Sequence, residues 1–182
     1  MPSPIGHTLI GLTISSLPLK SRIYQSCFWF AFVVFAANAP DLDFIPGWLM
    51  GDFNRYHHGV SHSLGAAVFF AGIFAFIARY TRYQPKMVFL IFLLSYLSHL
   101  LADYFAVDRV APYGAPFLWP FSNQYYLSSF QIFYPIQHGN TGEGIAMVID
   151  RIFSTENLMA IAIEFLIVTP VLAITFWCSR KR

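Results

Sequence analysis

The sequence predicts an all-α helical bundle embedded in a membrane, on three observations. Of 182 residues, 57% are hydrophobic and only 11% charged, against about a quarter charged in an ordinary soluble domain. The apolar residues fall in long runs rather than dispersed stripes. Those runs are separated by prolines and by short basic loops. With a net charge of +2 and no basic stripe, a nucleic-acid partner is excluded. The length suits one integral membrane domain over residues 1–182.

The elements follow in order. Ser3 is a good N-cap and Pro4 a good first helical residue. The first helix should run to about Leu17, where Pro18 stops it. At about 1.5 Å per residue it is around 20 Å long, short for a hydrocarbon layer of about 30 Å. A second run spans 23–39 and ends at Pro40. A third spans 64–80, after the polar stretch MGDFNRYHHGVSHS. A fourth spans 87–107, after Pro85. A fifth spans 158–178 and contains Pro170, where a kink is expected. That makes about five membrane-embedded helices. Between the fourth and fifth lies a long segment, 108–157. Its first half carries interfacial aromatics from Tyr113 to Tyr134. Its second half places Ile145, Val148, Ile149, Ile152 and Phe153 at the spacing of a short amphipathic helix. Cys27 and Cys178 have no paired spacing and read as two separate membrane thiols. The opening MPSPIGHTLIGL has neither a basic leader nor a small-residue cleavage site, so it is not read as a removable signal.

The basic residues set the orientation. Lys20 and Arg22 join helices one and two. Arg79, Arg82 and Lys86 join helices three and four. Arg180, Lys181 and Arg182 end the chain. Alternating helices put these eight of the eleven basic residues on one side, which the positive-inside rule makes cytoplasmic. The N-terminus, residues 40–62 and the extracytoplasmic segment 108–157 then face outward from a multi-pass inner-membrane protein.

On that topology the remaining ionisable residues converge. His7 lies at the outer end of helix one. Asp41 and Asp43, in PDLD, follow the outer end of helix two. His57, His58 and His62 precede helix three. His99 and Asp103 lie near the outer end of helix four, at i and i+4, and share a face. His58 and His62 share that spacing if the helix already includes position 58. Imidazole and carboxylate together suit zinc, manganese or iron, and such groups near hydrocarbon are costly without a function. His138, in QHGNTGEG, reads as a solvated loop histidine. Glu164 sits two turns inside helix five, either paired with a polar neighbour or reaching the site.

Gly6-His7, PDLD at 40–43, HHGVSHSL at 57–64, SHLLAD at 98–103 and YGAPFLWPF at 113–121 together resemble the membrane-bound metal-dependent hydrolase family, of the LexA-regulated inner-membrane type. The resemblance covers most of the first 121 residues. The family motif reads like His-Arg-Gly-x-Thr-His-Ser, which makes His57 the family histidine and puts His58 where Arg usually stands. Arg55 is a substitute for the missing charge.

The expected metal set is therefore His7, Asp41, Asp43, His57, His62, His99 and Asp103. It would hold one or two divalent transition-metal ions, zinc first. Asp43, or Asp41, is the expected proton acceptor for water. The expected reaction is hydrolysis of an ester, a phosphoester foremost, in a lipid-like or other amphipathic substrate at the outer membrane face. The aromatic segment 113–134 would shape a groove for it. Two rivals remain. A transporter would place its charges nearer the bilayer midplane at broken helices. A non-catalytic metal protein would close the coordination shell.

Overall fold

The computed structural model describes residues 1–19, 26–52, 55–109, 111–137 and 145–180. Lys20, Arg22, His138, Lys181 and Arg182 lie outside these residues. The described residues form helices and connections with no strand. Helix α1 is Pro4–Leu19, α2 Cys27–Asn38, α3 Phe44–Leu49, α4 Leu64–Ala78, α5 Pro85–Tyr104, α6 Ile145–Ile152 and α7 Thr155–Arg180. Single turns of 3-10 helix occupy Pro40–Asp43 and Val60–His62.

Local chemistry sets the boundaries. Ser3 caps α1: its hydroxyl accepts from the Gly6 N–H at 2.9 Å, with Pro4 in the first helical position. Ser63 caps α4 by accepting from the Ala66 N–H at 3.1 Å. Pro85 opens α5.

By length and composition, two stretches among the described residues can cross a membrane, Pro85–Tyr104 and Ile149–Cys178. A third is added if Cys27–Asn38 and Pro40–Leu49, bent by 56° at their junction, form one broken span. Helices α1 and α4, with 16 and 15 residues, fall short of the roughly 20 a span needs.

Helix α5 is the centre of the bundle. It packs against α1, α2 and α4, while α1 also packs against α2 and α7. Small residues bring the backbones close, as in membrane helix pairs. Ala36, Ala66, Ala67 and Ala71 surround Phe92, Tyr96 and Leu100. A Cβ on Gly11 would come within 2.6 Å of the Ala37 Cβ. Ser15 and Ser95 join α1 to α5 by a hydroxyl contact of 2.9 Å. Large apolar side chains face outward instead. Phe69, Leu166 and Ile174 are 64%, 75% and 61% exposed, an inversion that suits lipid and not water.

Two expectations need correction. Helix α1 continues two residues past Leu17, because Pro18 falls in its last turn, where little helical pairing remains to be lost. Position 58 is not helical. His58 has φ 57°, a left-handed backbone that no α-helix contains, so the i,i+4 pairing of His58 with His62 does not form.

The segment after α5 folds back over the helix ends. The Phe117 and Trp119 carbonyls accept from the Leu64 and Gly65 N–H groups at 2.8 and 2.9 Å, satisfying donors that a helix start leaves open. A Cβ on Gly65 would lie 2.7 Å from the Trp119 oxygen.

Candidate metal centre

Four elements deliver imidazole and carboxylate groups to one end of the bundle. Helix α5 contributes His99 and Asp103 from one face. The 3-10 turn after α2 contributes Asp41, and the turn before α4 contributes His62. The start of α1 contributes His7. The His62 and His99 imidazoles are fully buried, and the Asp103 and Asp41 side chains are 2% and 12% exposed.

The donor atoms meet. His99 Nε2 lies 3.0 Å from Asp103 Oδ2, 3.4 Å from Asp41 Oδ1 and 3.2 Å from His62 Nε2. His62 Nε2 lies 3.4 Å from Asp41 Oδ1 and 3.5 Å from Asp103 Oδ2. A tetrahedral ion with ligands at about 2.0–2.2 Å has ligand–ligand edges of about 3.3–3.6 Å. Five of the six edges of such a tetrahedron lie near that range, and His62, His99 and Asp103 form a set able to hold an ion. The carboxylate oxygens of Asp41 and Asp103 are buried, and none forms a hydrogen bond of normal geometry. Native proteins rarely leave buried polar atoms so. Two carboxylates and two neutral imidazoles carry two negative charges, which a divalent cation balances. The donor set therefore fits a metal ion.

The outer nitrogens of both imidazoles are tied down. His99 Nδ1–H donates to the Ala37 carbonyl at 2.8 Å, leaving Nε2 to face the other donors. His62 Nδ1 lies 3.1 Å from Asp43 Oδ2, the carboxylate–histidine arrangement that fixes a metal-binding tautomer. Asp43 Oδ2 also accepts from the Ser61 hydroxyl at 2.6 Å. The Ser61 carbonyl accepts from the Tyr96 hydroxyl at 2.5 Å, anchoring this turn to α5. Burial disfavours a proton on His62, but Asp41 and Asp43 outweigh it and raise its pKa to about 9. This pocket calls for positive charge.

The other residues singled out from the sequence sit around this group. His7 stacks on His99 with ring centroids 3.6 Å apart, and its Nε2 is 3.5 Å from Asp103 Oδ1. Neither of its ring nitrogens forms a hydrogen bond, and His7, Asp41 and His99 also form a set able to hold an ion. Asp43 stands behind His62, and with Asp41 and His57 it forms a further set able to hold an ion. His57 is one contact further out, its Nδ1 3.2 Å from Asp43 Oδ1. Burial pushes the His57 pKa down to about 3 against the opposing pull of Asp43, so its ring is neutral at physiological pH. His58 has its ring centroid 4.9 Å from that of His62 and its Nδ1 3.3 Å from Asp108 Oδ2, and with His57 and His62 it forms another set able to hold an ion.

Asp108 is an addition to the residues singled out from the sequence. The Gly114 N–H also donates to it, at 2.8 Å; the only hint in the sequence is its place directly after the fourth apolar run. Glu164 resolves to the first of its two alternatives. It accepts from the Ser3 N–H at 2.6 Å and from the Ser3 hydroxyl. A Cβ on Gly6 would lie 2.6 Å from its Oε2. Glu164 thus holds the start of α1, one turn from His7.

A cavity of about 810 Å³ opens beside this group, with Asp43, His57, His58, Ser61 and Asp108 in its wall. Of the aromatic segment, Tyr125 lines it. Tyr113, Phe117, Trp119 and Phe121 do not line this cavity, and the Phe117 and Trp119 carbonyls are engaged over the start of α4.

Apolar helices that meet at one end in a buried His/Asp cluster define an integral membrane protein with a candidate metal centre. The chain belongs to the YdjM inner membrane protein family, whose model matches residues 1–180. No curated protein and no solved structure matches it.

Proposed function

We propose that this protein is a membrane-embedded metal-dependent hydrolase acting on an ester, foremost a phosphoester, of a lipid-like substrate. The observation that carries the proposal is the meeting of His62, His99, Asp41 and Asp103 donor atoms at 3.0–3.5 Å beside an open cavity. Zinc is the first expected ion, held by these four residues with His7 adjacent. An ion held there would supply Lewis acidity for activating water and neutralising charge on a phosphoryl or acyl centre.

The chain's own residues supply the proton path. His57 faces the cavity, neutral, with Asp43 behind its Nδ1. The water oxygen bonds to the phosphorus as the ester oxygen leaves. The Asp43–His57 pair takes the water proton and returns one to the departing alcohol. We assign the acceptor role, expected of Asp43 or Asp41, to this pair. Asp41 belongs with the ion. We place five membrane-embedded helices in the inner membrane with this end outward, on the distribution of basic loops. The expected pattern is labelling of Ser128→Cys, and not of Gln84→Cys, by an impermeant reagent on intact cells lacking Cys27 and Cys178.

One observation favours a second reading. Four protein donors fill a tetrahedral shell, as in structural zinc sites, and the protein would then hold metal without turnover. The experiment is product release from a panel of lipids, phosphodiesters and acyl esters by metal-loaded protein. Hydrolysis lost on chelation and restored by zinc is expected. A metal-loaded, folded protein without turnover across the panel leaves the structural reading.

A further inference from the structure

Eight of the eleven basic residues belong to the three groups that the sequence assigns to the cytoplasmic loops and the chain end. The remaining three are Arg55, Arg109 and Arg151. They are far apart in sequence: one precedes the HHGVSHS turn, one follows α5 and one lies in α6. All three line the cavity that holds His57, His58 and Asp43 in its wall. Arg55 and Arg109 are exposed, and Arg151 is half-buried. Helix packing alone does not require this. A chain of this composition has few charges to place, yet every Lys or Arg outside the basic loops reaches one cavity.

We propose that Arg55, Arg109 and Arg151 form an anion-binding subsite that takes the phosphate group of an amphipathic phosphoester. This rests on the hydrolase reading and names its substrate class. Guanidinium is the side chain suited to phosphate, since its planar fork meets two oxygens at once. The cavity has the two features a phosphoester needs. Donors for the non-bridging oxygens share it with the wall nearest the metal ligands. A neutral ester offers no negative charge to the three guanidiniums, so the subsite also selects against acyl esters that lack phosphate. Asp108, beside His58, gives the wall a negative point that disfavours anions placed away from the arginines.

The test uses full-length, zinc-loaded protein in detergent and isothermal titration calorimetry. The probes are dihexanoyl phosphatidic acid, dihexanoylglycerol and inorganic phosphate. The variants are the three single Arg→Gln changes, the triple change and the triple Arg→Lys change, with metal content measured on each. The expected result is phosphatidic acid binding that weakens tenfold or more in the triple Gln variant at unchanged metal content. The triple Lys variant should recover part of it, and dihexanoylglycerol should bind without dependence on the arginines. Inorganic phosphate bound as tightly as phosphatidic acid, with the same arginine dependence, supports the subsite and assigns it to a soluble phosphate. Equal phosphatidic acid binding by wild type and the triple Gln variant overturns the proposal, as does no binding of either phosphate probe by wild type. Absence of metal from the wild type defeats the hydrolase reading instead, and the arginine dependence is read separately.

Discussion

The cluster has an inner and an outer part built from the same residue types. Inside, His62 and His99 are fully buried and bring their Nε2 atoms within 3.2 Å of each other, with Asp41 and Asp103 alongside. Outside, the His57 and His58 side chains are 10% and 12% exposed, and each lies against one carboxylate, Asp43 and Asp108. Packing makes the difference. The inner imidazoles have their outer nitrogens fixed by Ala37 and Asp43, so their remaining nitrogens face each other. The outer ones ride on a strained turn, with His58 at φ 57°, and border the cavity. The same side chains therefore serve different ends. The inner residues form a set that could hold an ion, and the outer ones, which take part in further such sets, also border the cavity.

The most severe way to break this contrast is to delete an inner donor. His99→Ala or Asp103→Ala should bring bound metal to background, because α5 is central and cannot swing another donor into place. Inductively coupled plasma mass spectrometry on purified protein checks this. An outer deletion should do the reverse. His57→Ala should keep its metal while turnover falls by about 10²–10⁴-fold, the usual range for a lost acid–base group. Equal metal loss in His57→Ala and His99→Ala would erase the distinction.

Asp43 touches both parts, so Asp43→Asn should show both defects. Metal affinity should drop about 10–100-fold, as for a lost outer partner of a ligand histidine, and turnover should drop further. Zinc titration against a chromophoric chelator separates the two. The smallest effect belongs to the support beneath His7. Gly6→Ala pushes a Cβ into Glu164 and should cost about 1–3 kcal/mol of stability, read as a lower denaturation midpoint, with only a modest loss of metal.

The inner part is more legible in the sequence than the outer one. His99 and Asp103 declare themselves because two ionisable groups one helical turn apart interrupt an apolar run. Asp41 and His62 become legible once alternating helices bring PDLD and HHGVSHS to the same end. The division of labour between Asp41 and Asp43 is not legible. It depends on a 3-10 turn that aims the two carboxylates differently, and spacing does not encode that aim. Nor does the sequence reveal the partner of His58. A left-handed residue followed by Gly59 reads as a plain turn, and Asp108 is far along the chain, beyond two helices. Glu164 illustrates the same limit. Its partner is the capping serine of the first helix, at the other end of the chain, and only the packing of α7 on α1 brings them together. The aromatic segment shows another limit: its composition suits an interface, but that the Phe117 and Trp119 carbonyls cap α4 is backbone geometry that composition does not encode.

X-ray absorption spectroscopy at the zinc edge of the purified protein tests the inner site most directly. Two imidazoles, seen through their multiple scattering, and oxygen ligands at about 2.0–2.2 Å, with no sulfur, are predicted, and the imidazole signal should be unchanged in His57→Ala and reduced in His62→Ala. A purified, folded protein that takes up no zinc, or binds it with an unchanged spectrum in His62→Ala, would contradict a metal centre at His62, His99, Asp41 and Asp103.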